Sequence, residues 1–456
     1  MSTADTIAAI STPPGVGGIG TVRVSGPAAR EICDRVFASP KGRRIADAPG
    51  YTALYGRVSG PDGPIDEAIA LVFAAPASYT GEDVVELSVH GGGYIVKALL
   101  RALLAAGARL AEGGEFTRRA FLNGKLDLAE AESVMQLISA KGAEAHRAAL
   151  QTKSGALSRE IEAIRAFLLH CAGDLAAYID YPDEDMPALE SGTFLQEMEG
   201  AEKRLAHLLD TYDTGRLLRE GIDTVIVGRP NVGKSTLMNL LVGEERSIVT
   251  DVAGTTRDIV EESVMLGGLC LRLADTAGLR KTDDQVEAIG VQRARDRLEQ
   301  ASLVLLLLDA SSPLTTGDRE LLSLCRGRRT VVVMNKSDLP ERMDRSAVEE
   351  YGFPTLTISA LEPEAADRLA AVVEQVTGLS DLSDDAVILS TERQRICAQT
   401  ALSAVREAKE ALLSGVTLDA VGVCLDDALN ALFSLTGERV TTAVADEVFS
   451  RFCVGK

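Results

Sequence analysis

The run GRPNVGKST at Gly228–Thr236 constrains this chain more than any other feature, because four further elements follow it in a fixed order. They are DVAGTTRD at Asp251–Asp258, DTAGL at Asp275–Leu279, NKSD at Asn335–Asp338 and ISA at Ile358–Ala360. The apolar stretch IDTVIV precedes the first and STLMNLL follows it, which predicts a strand, a glycine turn and a helix. Backbone N–H groups in such a loop converge on phosphate, and the helix N-terminus adds partial positive charge. The order predicts a Ras-like P-loop domain in the second half of the chain. Asn231, Val232, Gly233, Lys234, Ser235 and Thr236 would surround the phosphates.

Each following element adds a chemical role. Lys234 reaches the β- and γ-phosphates, and the Ser235 hydroxyl is placed to ligate Mg²⁺. Thr256 is the candidate switch threonine for Mg²⁺ and the γ-phosphate. Asp275, after the apolar strand LCLRLA, fits a water on Mg²⁺, and Gly278 offers a backbone N–H to the γ-phosphate. On the base side stand Asn335, Lys336, Asp338, Ser359 and Ala360. The Asp338 carboxylate can accept from both the N1–H and the exocyclic amine of guanine, a pair that adenine does not present. The motifs imply GTP rather than ATP. Ras-like enzymes orient the attacking water with a glutamine after the switch glycine, but here Leu279 follows Gly278. Glu287, in DDQVEAIG, is the candidate substitute, although a glutamate in such a stretch is more often a solvated helix residue.

A chain of 456 residues is expected to hold two or three domains. Residues 1–118 alternate apolar and polar positions between Gly and Pro, with strands expected at TIAAIST, GTVRVSG, TALYGRVSG, EAIALVF and DVVELSVHGGG. Tyr94–Ala106 reads as a helix, so this part is expected to be a compact α+β domain. From 119 to 219 glycine thins out and Ala, Leu, Glu and Arg recur at helical spacing. Residues 220–381 hold the nucleotide motifs, and 382–456 are helical again. The last run is too short for a good core of its own. It is expected to pack on the helices of 119–219, which makes the GTPase an insertion in one discontinuous helical domain.

The remaining composition narrows the class. Net charge is −20, which opposes a surface built for general nucleic-acid binding and leaves room for a local basic patch or a basic partner. The densest apolar run, SLVLLLLDA, is strand-sized, so no stable membrane insertion is expected. The N-terminus shows neither the basic region nor the apolar core of a secretory signal. Seven scattered cysteines suggest neither a disulfide framework nor a metal knuckle. A reduced, cytoplasmic protein is expected.

Several stretches together resemble the MnmE (TrmE) family of tRNA-modifying GTPases over essentially the whole chain. They are DTIAAISTPPGVGGIGTVRVSGP, SYTGEDVVELSVHGG, GEFTRRAFLNGKLDLAEAESVMQLI, the nucleotide motifs and FSRFCVGK. The resemblance implies an N-terminal folate-binding domain, a helical domain and an inserted GTPase, assembled as a homodimer. It also implies a complex with the flavoprotein MnmG, which brings FAD. Together they add a carboxymethylaminomethyl or aminomethyl group to C5 of the wobble uridine of certain tRNAs. The one-carbon donor implied is 5,10-methylenetetrahydrofolate, for which 5-formyltetrahydrofolate is an analogue.

The family's residues carry over position by position. Asn231 matches a K⁺-ligating asparagine, while Thr250, Val252 and Thr255 match the loop that wraps the ion, the valine through its carbonyl. Glu287 stands where the family's water-orienting glutamate stands. Arg23, Glu82, Lys125 and Lys456 match folate contacts, and Cys453 matches a cysteine needed for tRNA modification. By themselves the four charged residues read as surface charges, and Cys453 reads as an idle tail thiol. A prenylation reading of the tail fits poorly, given Gly455 and Lys456. Val16 stands where many members carry arginine, which puts an anionic contact there in doubt. CVGK replaces the usual CIGK or CLGK. A second class, a switch GTPase acting on a ribosome or membrane partner, shares the nucleotide motifs but has no use for the folate positions.

Overall fold

The computed structural model describes residues 5–180, 193–244, 262–273, 298, 301–380 and 386–456. The chain forms two compact units, Met1–Met135 with Asp426–Lys456, and Gln136–Leu425.

In the first unit the expected alternation becomes a seven-stranded sheet. Its elements are β1 (Ile7–Ile10), β2 (Ile19–Ser25), α1 (Ala29–Val36), β3 (Phe37–Ala38), β4 (Thr52–Gly60), β5 (Gly63–Phe73), β6 (Val84–His90), α2 (Gly93–Ala105) and β7 (Arg109–Leu110). The strand order is β3-β4-β5-β6-β2-β1-β7, antiparallel except for the β1–β7 pair. Period two sends Val22, Val24, Leu87 and Val72 to one face, where they meet Ile32 of α1 and Leu99 and Leu103 of α2. Burying each such side chain contributes about 2 kcal/mol. On the opposite face Ile7 and Ala9 pack with Ala111 and Phe116, the latter on α3 (Glu115–Leu122). Next comes α4 (Leu128–Ser139).

The second unit begins with α5 (Ala143–Lys153), α6 (Ala156–Asp180), α7 (Thr193–Asp210) and α8 (Tyr212–Glu220). There follow β8 (Ile222–Val227), α9 (Lys234–Glu244), β9 (Glu262–Leu266), β10 (Leu269–Leu273), β11 (Leu303–Asp309), α10 (Thr316–Leu324), β12 (Thr330–Asn335), α11 (Ser346–Glu349), β13 (Thr355–Thr357) and α12 (Ala365–Thr377). The sheet order is β13-β12-β11-β8-β10-β9, parallel except for the edge strand β9. Leu303–Leu308 are fully buried, as a central parallel strand requires. β8 lies between β10 and β11, so the strand order reverses at the end of β8 and opens a crevice there.

The chain then returns as α13 (Glu392–Leu413), α14 (Leu418–Thr436) and α15 (Thr442–Ser450). A Thr391–Gln394 capping box starts α13. α13 packs along α7, where Arg406 lies 2.9 Å from Glu202 and Lys409 lies 3.3 Å from Glu199. The helices before and after the six-stranded domain therefore pack on each other. Within the first unit, Ala445, Phe449 and Phe452 close on Leu128, Ala131 and Val134 of α4. Among the described residues no helix is long and apolar enough to cross a membrane.

Candidate functional site

The phosphate loop leaves the C-terminal end of β8, where IDTVIV forms the expected strand and Lys234 starts α9. Two backbone features shape it. Asn231 adopts φ of +63° and Gly233 φ of +100°, the left-handed backbone from which anion-binding turns are built. A Cβ on Gly233 would lie 2.2 Å from Nδ2 of Asn335, so only glycine allows the loop to close on β12. Lys234 folds back and donates from Nζ to the carbonyls of Gly228 at 2.8 Å and Arg229 at 2.6 Å. Burial lowers its pKa from the ordinary lysine value. Ser235 and Thr236 follow in the first turn of α9.

The base-side elements meet the loop through Asn335, which is 3% exposed. Its Nδ2 donates to the Val232 carbonyl at 2.9 Å, and its Oδ1 accepts from the Ala360 N–H at 2.9 Å. Ser337 N–H donates to the Ile358 carbonyl at 3.1 Å, tying NKSD to ISA a second time. Lys336 has φ of +68° and donates from Nζ to Asp309 at the end of β11, at 2.7 Å. Burial pushes the Asp309 carboxyl upward, but hydrogen bonds from Lys336 and Ser311 prevail and hold its pKa below the ordinary value. Ser359 is buried and Asp338 is exposed at the rim. The structure thus joins Asn231, Val232, Gly233, Lys234 and Ser235 to Asn335, Lys336, Ser359 and Ala360. Thr250, Val252, Thr255, Thr256, Asp275, Gly278, Leu279 and Glu287 lie outside the described residues.

In the first unit, Arg23 lies on β2 opposite Glu86 of β6 and donates to it at 2.8 Å. Its guanidinium lies over the rings of Tyr79 at 5.4 Å and Phe116 at 5.6 Å. Its Nη1 also donates to the Gly455 carbonyl at 3.4 Å. The tail reaches that position by pairing Val454 with Gly113, while Phe116 N–H donates to the Lys456 carbonyl at 3.2 Å. Gly455, with φ of +97°, packs where a Cβ would fall 2.4 Å from the Ile10 carbonyl. Glu82 accepts from Ser25 Oγ at 2.7 Å and from Arg119 Nη1 at 3.2 Å. Lys125 Nζ donates to the Pro76 carbonyl at 3.2 Å. The loop from Pro76 to Glu82 therefore touches or contains the partners of Arg23, Glu82 and Lys125, and Arg23 reaches the tail beside Lys456. Cys453 is exposed next to this strand pairing, and Val16 is 99% exposed.

Some participants carry no sequence signal of their own. Arg119 is almost wholly buried behind Glu82, although the motif GEFTRRAF shows only two adjacent arginines. Arg229 donates from Nε to Asp318 at 2.7 Å, and Asp318 also closes the capping box of α10 with Thr315. That bond fixes the start of the phosphate loop to a helix beyond β11. Tyr79 and Phe116 become visible as a platform only once Arg23 is seen over them.

Two family models match successive parts of the chain. The family described as GTP-binding protein TrmE N-terminus matches residues 6–125, and the MnmE helical domain family matches residues 128–453. A tRNA modification GTPase MnmE of Heliobacterium modesticaldum is 44% identical over 465 residues, covering 99% of each chain. Proteins of the same description from Lactococcus lactis subsp. cremoris and Geobacillus kaustophilus are 43% and 42% identical; the alignments cover 99% and 100% of this chain and 98% and 100% of theirs. Among solved structures, the G domain of the T. maritima FeoB iron transporter aligns at 24% identity with a TM-score of 0.25, covering 35% of this chain and 98% of that one.

Proposed function

This chain belongs to the MnmE (TrmE) family of tRNA modification GTPases, and we propose that it is a K⁺-activated GTP hydrolase working with the flavoprotein MnmG. The pair adds a carboxymethylaminomethyl or aminomethyl group to C5 of the wobble uridine of certain tRNAs. The chain acts in the cytoplasm as a homodimer, takes its carbon from 5,10-methylenetetrahydrofolate, and meets FAD only through MnmG. The observation that carries this reading is that Arg23, Glu82 and Lys125 meet at the loop from Pro76 to Glu82, while Arg23 also reaches the Gly455 carbonyl of the tail. A GTPase acting only as a switch has no use for such a cluster.

The residues present fit the groups implied. For GTP, the left-handed backbone at Asn231 and Gly233 suits an anion cradle, and Lys234 meets two backbone carbonyls of the same loop. Asn335 ties the base-side loop of Ala360 to the phosphate loop, and Asp338 would supply the guanine-specific carboxylate. Ser235 and Thr256 would hold Mg²⁺, with Asp275 on a bound water. Asn231, Thr250, Val252 and Thr255 would hold K⁺. Such a cation supplies positive charge against the phosphate oxygens, where other GTPases use an arginine. Glu287 would orient the attacking water in place of the glutamine that Leu279 displaces.

For folate, Arg23 pre-sets a cation over two aromatic rings, a surface suited to a flat, anionic ligand. Lys125 and Lys456 add cations for the glutamate carboxylates, and Glu82 offers a carboxylate to the N–H edge of the pterin. Methylenetetrahydrofolate supplies a one-carbon unit. The chain's own residues bind and orient it, and Cys453 lies exposed beside them on the tail.

Total tRNA from cells lacking the protein, digested and analysed by mass spectrometry, tests this function. Loss of the modified wobble uridine is expected, restored by the wild type and not by Cys453→Ser or Glu287→Ala. An unchanged nucleoside profile would overturn the modification role and favour a switch GTPase.

A further inference from the structure

We propose that Arg119 is a positioning residue of the N-terminal site, clamping the Glu82 carboxylate in one orientation for the N–H edge of a reduced pterin. The inference rests on the folate reading above. Arg119 lies on α3 and is 3% exposed. Its Nη1 stands 3.2 Å from both oxygens of Glu82 and 2.8 Å from the Asp5 carbonyl. Its Nη2 donates to Asp5 Oδ1 at 2.7 Å and to Glu115 Oε1 at 3.0 Å. Those two anchors fix the plane of the guanidinium, and a planar fork dictates where the third carboxylate must sit.

The charges in this cluster are unequal in a way that singles out Glu82. Arg109 and Arg119 face Asp5, Glu82 and Glu115, so two positive charges meet three negative ones and the balance is −1. Asp5 and Glu115 each contact both guanidiniums, whereas Glu82 contacts Arg119 only. Glu82 therefore meets a single guanidinium and keeps part of its acceptor capacity for an outside donor. From its other side Ser25 Oγ donates to Oε2 at 2.7 Å, and Ser25 is itself held by the buried Thr80 hydroxyl at 2.7 Å. The Glu82 side chain stays 13% exposed, enough to present an edge. A carboxylate gripped from two sides pays little ordering entropy when a ligand arrives.

The test is calorimetric titration of the full chain with 5-formyltetrahydrofolate at about pH 7, with thermal melting as the check on folding. Arg119→Lys keeps the charge and loses the fork, so the Kd is expected to rise roughly tenfold. Because Arg119 acts through Glu82, adding Arg119→Lys to Glu82→Gln is expected to cost little further affinity. Glu82→Gln is expected to weaken binding. Asp5→Asn removes an anchor of Arg119 without touching Glu82, and a smaller loss, about threefold, is expected. It carries the test if Arg119→Lys melts early. If Glu82→Gln weakens binding but the folded Arg119→Lys and Asp5→Asn match wild type in Kd, or Arg119→Lys costs as much in the Glu82→Gln background as alone, the Arg119 inference is overturned and the folate reading stands. If wild type does not bind, or Glu82→Gln binds equally well, the folate reading falls and the inference with it.

Discussion

The side-chain amide of Asn335 donates to the backbone carbonyl of Val232 at 2.9 Å, locking the end of β12 to the phosphate loop. Because the other end of that amide accepts from Ala360, one buried side chain sets the distance between the phosphate cradle and the base-side loops. Gly233 leaves the space this requires.

Removing the amide should separate the two halves of the nucleotide site. Asn335→Ala leaves the Val232 carbonyl and the Ala360 N–H without their partner, at about 1–3 kcal/mol each where burial persists. GTP affinity, read with a fluorescent analogue, is expected to fall at least tenfold. Affinity within twofold of wild type would show that the loops hold their spacing without the bridge.

Hydrolysis should depend on which monovalent cation is present. The rate in K⁺ is expected to exceed that in Na⁺ by tenfold or more, and Asn231→Ala should remove most of that preference. Equal rates in the two salts would sink the assignment of Asn231 to a cation site.

Glu287→Ala should separate binding from chemistry. Loss of a water-orienting carboxylate costs roughly two to four orders of magnitude in rate, while affinity for GTP stays near wild type. A variant that no longer binds nucleotide would instead show that Glu287 supports the fold.

The contact between α7 and α13 should weaken in acid. The Arg406 guanidinium beside Glu202 lowers its pKa below the ordinary glutamate value, against a smaller opposing effect of burial. A carboxylate with a depressed folded-state pKa stabilises the fold above its unfolded value and stops doing so as pH falls through the folded one. Glu202→Gln is expected to lower the melting temperature at pH 7 by the equivalent of about 1 kcal/mol or less, with the gap closing below about pH 4. A gap that persists in acid would point to packing rather than charge.

Much of the fold is legible in short stretches of sequence. The strand expected at IDTVIV is β8, and the helix expected over Tyr94–Ala106 runs from Gly93 to Ala105. Local periodicity and glycine placement are enough for such elements, because their hydrogen bonds close within a few residues. The phosphate loop is legible for the same reason, being a single turn between β8 and α9. The grouping of Arg23, Glu82 and Lys125 is not visible in that way, since their common loop is brought to β2 by sheet order. Arg118 and Arg119 look alike in GEFTRRAF. Helical phase buries Arg119 among three carboxylates, while Arg118 faces Asp446 on α15.

Order and spacing alone therefore determine that the chain carries a P-loop domain between helical segments, and the chemistry of Asp338 leads one to expect a guanine base. Only the tertiary structure decides that the tail passes beside β2, so that Arg23 meets the Gly455 carbonyl across nearly the full length of the chain. It also decides that Asn335 spans the nucleotide site and that Arg119 stands behind Glu82. The reason is physical. Turns and helices satisfy their backbone groups locally, whereas these contacts depend on which strands become neighbours and which helix face is buried. That choice is made by the packing of the whole core.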